Sequence, residues 1–443
     1  MVLQRKILFA CFKRKLRAEI KVAQLAGYVA EHSAYHHGEQ SLAMAIVNMA
    51  QTFVGSNNIN MLVPSGQFGT RLQGGADAAS PRYIFTFLNS LTRGIYNEFD
   101  DPLLKYLDDD GQSIEPEWYM PILPTVLING GHGIGTGWST DVPSYNPRDI
   151  VENLKRMMNH EVMEPMHPWF RGFKGQIELN VSKKGEVSYC ISGILGKVND
   201  TTIQVTELPV GKWTQQYKEF LETLLDTDGG KKEPFIKGYK EFHTDTSVHF
   251  EITMSEKSMR EAEEVGLYKK FQLQRNLSIS NMHLFNAQGQ ITKYDNPEQI
   301  MREFYELRLG YYAKRKDYMV GDMERQLSVL DNKCRFIKEV IAGTLKISNR
   351  KKVDIVEDLR KRGYAPMIKE SKKKAAGDIQ SAEQEQQQEI DEEEAKTGIT
   401  AYDYLLNMPL MSLTLERVNT LQVNELLPYS CRSFANVSRI GKP

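Results

Sequence analysis

From Lys21 to Phe53 the apolar positions recur at helical intervals: Val22, Leu25 and Ala26, then Leu42, Ile46, Met49, Ala50 and Phe53. Residues three and four apart share one face of a helix, so the pattern predicts two helices. Between them, Ser33-Ala34-Tyr35-His36-His37-Gly38-Glu39 has the small and polar residues of a tight turn. The pair is therefore a candidate helix-turn-helix whose second helix enters a nucleic-acid groove, although an ordinary helical hairpin is the commoner result of the same pattern. From about 142 to 298 the spacing changes. Thr202-Ile203-Gln204-Val205-Thr206 and Val248-His249-Phe250-Glu251-Ile252 alternate as strands do, and Trp213 to Leu225 reads as a helix, which predicts a separate α+β module. Val320, Met323, Leu327, Leu330, Cys334, Ile337 and Ile341 then repeat at alternating intervals of three and four, the seam of a left-handed coiled coil. The pattern leaves open whether the partner helix belongs to this chain or to another.

Two glycine-rich stretches interrupt this patterning. Residues 54–80, with Gly55, Gly66, Gly69, Gly74 and Gly75, predict a long ordered loop where backbone approaches something closely. The run Asn129 to Trp138 invites a phosphate-loop reading, but a Walker A loop needs Lys-Ser/Thr after its last glycine and this run has Trp138-Ser139. Asp108-Asp109-Asp110-Gly111 is read as a solvated turn and not as a metal site.

At 443 residues, 41% hydrophobic and 26% charged, the chain has the length of several domains and the balance of a folded soluble protein. No stretch approaches the ~18 apolar residues of a membrane span. Met1-Val2-Leu3-Gln4-Arg5-Lys6 lacks the apolar core of a secretory signal, so a reducing compartment is expected. Cys11, Cys190, Cys334 and Cys431 are scattered without a CxxC pair, which predicts neither a disulfide framework nor a structural zinc site. The net charge of −1 hides a basic start: residues 1–22 carry Arg5, Lys6, Lys13, Arg14, Lys15, Arg17 and Lys21 against Glu19 alone, a net of +6. Such a cluster is either a solvated helix face or a phosphate-binding surface. Asp378 to Glu394, with eight acidic and no basic residues, reads as a disordered linker.

Gly66-Gln67-Phe68-Gly69-Thr70-Arg71, Gly74-Gly75 and Ala79-Ser80-Pro81-Arg82-Tyr83-Ile84 together resemble the active-site stretch of eukaryotic type II DNA topoisomerases. Tyr35-His36-His37-Gly38-Glu39, Val54-Gly55-Ser56-Asn57-Asn58, Glu115-Pro116-Glu117-Trp118-Tyr119, Gly133-Ile134-Gly135-Thr136-Gly137-Trp138-Ser139, Glu207-Leu208-Pro209, Phe242 to Thr246 and Asn281 to Phe285 follow in the order of that family. The resemblance runs from about residue 4 to about 418.

It implies a mixed α+β, multidomain fold. Residues 1–141 would be a winged-helix DNA-gate domain, 142–298 a tower domain, 299–370 a coiled-coil stalk with a dimer contact, 371–398 a disordered linker and 399–418 the start of a returning stalk helix. The tail 419–443 has no counterpart in the family. Tyr83 matches the tyrosine that attacks a DNA phosphodiester and holds the 5′ end while a second duplex passes. Arg82 would hold the phosphate, His36 and His37 match residues near it, and Ile134 matches an apolar wedge between base pairs. Lys6, Lys13, Arg14, Lys21, Gln67 and Arg71 complete the expected DNA-binding set. Double-stranded DNA, a homodimer and a nuclear location are implied, with Mg2+ and ATP whose sites lie in TOPRIM and ATPase modules not in this chain.

Elementary chemistry supports these roles. A phenol of pKa about 10 needs a cationic neighbour or a base to lose its proton at neutral pH. Planar guanidinium donors bind phosphate oxygens well as charge builds on them. An intercalated side chain costs a few kcal/mol of unstacking, offset by contacts to a bent duplex. Ala76 departs from the family, which commonly has Lys there. The tail after Val418 reads like a truncated or mis-joined gene product. The competing reading is a catalytically incomplete fragment that binds DNA and dimerises; a plain helix-turn-helix regulator leaves Ser80 to Tyr83 unexplained.

Overall fold

In the computed structural model the described residues are 2–181, 187–225, 233–347, 349–367 and 400–409. The acidic linker, the 419–443 tail and Cys431 lie outside them, as does all of the expected returning helix beyond Pro409. The chain forms two compact units, one of residues 1–109 and 114–311, the other of 110–113 and the described residues from Tyr312 onward.

The first unit opens with helix α1 (Val2–Lys13), strand β1 (Ile20–Lys21), helix α2 (Val22–His32) and helix α3 (Glu39–Ala50). The last two are the pair that the apolar spacing predicts. Val22, Leu25, Ala26 and Val29 of α2 and Leu42, Ala43, Ile46, Val47, Met49 and Ala50 of α3 are buried. The α2 helix stops where the Ser33 hydroxyl donates to the Val29 carbonyl and Ala34 turns to a φ of 47°. Strands β2 (Leu62–Ser65) and β3 (Phe85–Leu88) join β1 in an antiparallel sheet of order β1-β3-β2, with Lys21 opposite Phe85 and Ser65 opposite Phe85 on the other side. Ile7, Leu25, Leu42, Ile46, Leu62 and Ile84 close the core between helices and sheet. Burial of each such side chain contributes about 1.5–3 kcal/mol.

Further along the same unit, strands Ile194–Asn199, Thr202–Glu207, Phe250–Met254 and Ile236–Glu241 lie side by side in that order as an antiparallel sheet. Helix Thr214–Leu225 covers it, with Tyr217 and Leu221 packed among Ile203, Val205, Phe250 and Ile252. The strand expected at 248–252 begins instead at Phe250. The preceding residues are held in a turn by Thr244 and Ser247, whose hydroxyls bond each other, while Phe250, Ile252 and Met254 supply the alternating buried positions. A second sheet pairs Gln176–Val181 and Gln274–Ser278 with Val187–Ser192 between them. Leu127, Tyr145, Ile150, Tyr189, Met282 and Met301 form another core in this unit.

The heptad segment lies on one 45-residue helix, Pro297–Ile341. In the second unit its final turns pack on helix Lys352–Lys361 and residues 400–408, through Phe336, Ile355, Leu359, Tyr364, Tyr402 and Leu405. Along the seam Cys334 and Ile337 are buried against Leu330 and Met408, whereas Ile341 is exposed.

Candidate nucleic-acid interface and catalytic tyrosine

Tyr83 stands at the end of the glycine-rich loop, two residues ahead of β3. It is 77% exposed, yet the backbone beneath it is tied down. The Tyr83 amide donates to Ser80 O, the Ala23 amide to Pro81 O and the Val22 amide to Ile84 O, so the first turn of α2 clamps both sides of the tyrosine. Arg82 is likewise exposed. Among the described residues none hydrogen-bonds the Tyr83 hydroxyl. Tyr96 and Tyr119 contrast with it in placement: they pack on Phe12, and burial raises both phenols above their ordinary value.

The loop leading to Tyr83 is braced from within and from outside. Gln51 donates to Phe68 O, Thr70 bonds Asp77 through both its amide and its hydroxyl, and the Ala79 amide reaches Gln67 O. Arg71, expected on the DNA, is placed elsewhere. Only 4% exposed, its guanidinium is taken up by the Glu207 carboxylate and the Leu208 carbonyl. Glu207 is completed by the Leu208 and Lys174 amides. Gln215 N–H donates to Leu72 O, and the Trp213 indole fills the space that a side chain at Gly74 would need, where the backbone φ is 63°.

Ile134 sits on a hairpin, Gly131–Ile134 paired with Ser139–Val142 in the register Ile134 to Ser139. It is 82% exposed, and Trp138 on the far side of the tip is also exposed. The hairpin is rooted where Gly130 takes a φ of 69° and an added Cβ would stand 2.6 Å from Val142 O. The Asp141 amide donates to Asn281 O and the His283 amide to the Thr140 hydroxyl, which fix the outer strand. Asn58 holds the neighbourhood together by donating to the carbonyls of Ile128, Tyr145 and Trp169 and accepting from the Arg171 amide.

Of the basic set, Lys21 pairs across β1 and β3 with Phe85, two residues after the tyrosine, its ammonium 5.9 Å from that ring. Lys13 and Arg14 are exposed at the end of α1, Arg14 over the Tyr28 ring. Gln67 is exposed beside the loop. Lys6 is drawn inward, 2.9 Å from the buried Glu115 and bonded to Ser33 O, so its charge is used inside the protein. His36 and His37 lie beyond the last turn of α2, whereas the tyrosine loop is clamped to the first; the 11-residue helix between is about 16 Å long. Neither histidine hydrogen-bonds Tyr83. His36 is 3.9 Å from Asp109, and His37 meets Tyr35 edge-on. Among the described residues no group of three or more His, Cys, Asp and Glu is arranged to hold a metal ion, and no helix is long and apolar enough to cross a membrane.

The family model for the DNA gyrase/topoisomerase IV A subunit matches residues 2–426. The chain belongs to that family. It is 52% identical over 425 residues to DNA topoisomerase 2 of Arabidopsis thaliana, covering 94% of this chain and 29% of that protein. It is 49% identical over 427 residues to human DNA topoisomerase 2-beta, covering 94% of this chain and 26% of the human one. The chain thus spans less than a third of the length of these relatives. Its fold is similar to a crystal structure of the Plasmodium falciparum topoisomerase II DNA-binding, cleavage and re-ligation domain, with a TM-score of 0.83 and 46% identity over 97% of this chain and 57% of that one.

Proposed function

We propose that the chain is the DNA-breaking and rejoining core of a type II DNA topoisomerase, with Tyr83 as the nucleophile. The observation that carries this reading is an exposed phenol on a backbone clamped by three hydrogen bonds. The Tyr83 oxygen attacks a backbone phosphorus in line, a P–O bond to Tyr83 forms, and the bond to the leaving 3′ oxygen breaks. The phenol proton is lost and the leaving oxygen gains one. Arg82 binds the phosphate oxygens while charge builds on them. One phosphoester replaces another, so the reverse attack reseals the strand.

In the same reading α1 to α3 with β1 to β3 act as a winged helix, and the Gln40, Ser41, Met44 and Asn48 side of α3 faces a groove. Lys13, Arg14, Lys21 and Gln67 touch phosphates, and Ile134 wedges between base pairs, as its exposure on a rigid hairpin supports. Lys6 and Arg71 leave the contact set because their charges are neutralised inside the fold. His36 and His37 lie near the scissile phosphate. Residues 142–298 serve as the tower, 299–370 as the stalk of a homodimer in the nucleus, and Mg2+ and ATP are used by modules of the family outside the described residues.

The test is covalent trapping: end-labelled duplex, magnesium and a detergent quench, with and without a separately supplied metal-binding module, and Tyr83→Phe as control. Label that reaches the protein and disappears in Tyr83→Phe supports the reading. DNA binding with no label under either condition sinks it in favour of a DNA-binding fragment.

A further inference from the structure

We infer that Glu207 is a positioning residue for Tyr83, acting through Arg71: the buried pair makes the tyrosine loop and the four-stranded sheet one rigid body, so the sheet module sets where the phenol stands. The inference rests on the reading of Tyr83 as nucleophile. Three independent contacts support it. The ion pair is almost fully buried, with side chains 5% and 3% exposed, and both carboxylate oxygens of Glu207 are engaged. Main-chain bonding continues from Leu72 to Gln215, at the start of helix Thr214–Leu225. Trp213 occupies the side-chain space of Gly74, so the loop cannot shift toward the sheet without displacing an indole. From Arg71 the constraint passes down the loop through Thr70–Asp77 and Ala79–Gln67 to the Ser80–Tyr83 turn. A displacement of the sheet therefore carries the tyrosine loop with it.

The experiment compares the full chain with Glu207→Gln, which keeps the shape and removes the charge, and with Glu207→Asp. Amide hydrogen exchange is measured over residues 68–84 without DNA, and trapped label at saturating DNA with the metal-binding module present. For Glu207→Gln the expected result is at least about tenfold faster exchange in 68–84 with α1 and α3 unchanged, DNA affinity within about threefold, and trapped label down about tenfold. Glu207→Asp should recover part of the label. Unchanged exchange, or label that falls only in step with affinity, overturns the inference. Should Glu207→Gln fail to fold, Trp213→Phe gives the same comparison from the Gly74 side, and unchanged exchange there overturns it equally. Failure of the nucleophile reading is seen separately: label would then persist in Tyr83→Phe, or be absent from the parent chain, while the exchange result still decides the coupling.

Discussion

Arg71 and Glu207, 136 residues apart in the chain, meet as an ion pair inside the first unit, with Leu208 O and the Lys174 amide closing the network around them. Desolvating two charges is costly, and removing one leaves the other buried without compensation. Glu207→Ala should therefore cost about 3–5 kcal/mol, read as a shift in the urea midpoint of unfolding. A loss below about 1 kcal/mol would mean that the pair is solvated and behaves as a surface bridge.

Ile134 makes the opposite case. Because it is 82% exposed, Ile134→Ala should change stability by no more than about 0.5 kcal/mol. Duplex bending, followed by energy transfer between end-attached dyes, should fall markedly. Equal bending by the variant would remove the wedge.

The basic residues separate by their partners. Removing one exposed cation from a DNA phosphate lowers the slope of log affinity against log salt by about 0.9, so Lys13→Ala and Lys21→Ala should each do so. Lys6→Ala should leave the slope alone and destabilise the fold, since it strands Glu115, which is 2% exposed. Fluorescence anisotropy across a salt series distinguishes the two.

Glu339 gives the second unit an acid sensitivity. Partial burial alone would raise its carboxyl pKa, but Arg335 at 3.0 Å and Arg362 at 2.8 Å outweigh that and hold it below the ordinary 4.5. A lowered folded value stabilises fully above 4.5, and that stabilisation is lost as the pH falls through the folded value. Glu339→Gln should then be less stable than the parent at neutral pH, with the difference shrinking as the pH falls below 4.5 in thermal melts. A difference that persists undiminished in acid would contradict this.

What could be read from the sequence was what local rules encode. The α2 and α3 helices follow from apolar spacing, and the tyrosine stretch and the glycine-rich run around Ile134 stood out through their resemblance to a family, though not the hairpin that carries Ile134. The placements of Arg71 and Lys6 did not, because an arginine in a glycine-rich loop and a lysine in a basic helix carry the same local signal whether they face phosphate or a buried carboxylate. Their partners, Glu207 and Glu115, lie 136 and 109 residues away; both sit in stretches that resemble the family, but nothing in either stretch says which cation it meets. The role of Asn58, though not its motif, was hidden for the same reason: it is defined by three carbonyls from distant segments. The shift of the strand to Phe250 turned on a hydroxyl-bonded turn at Thr244 that alternation alone does not reveal.

The root of the Ile134 hairpin has a practical meaning for anyone altering this surface. At Gly130 the backbone conformation and the nearby Val142 carbonyl leave no room for a side chain, so the height of the tip is set by main-chain geometry. Gly130→Ala should collapse that geometry, whereas residues at the tip itself carry no such burden. The chemistry presented there can be exchanged one side chain at a time, leucine, methionine or phenylalanine for Ile134, with the pedestal unchanged, so a ladder of wedge sizes can be compared on a common base.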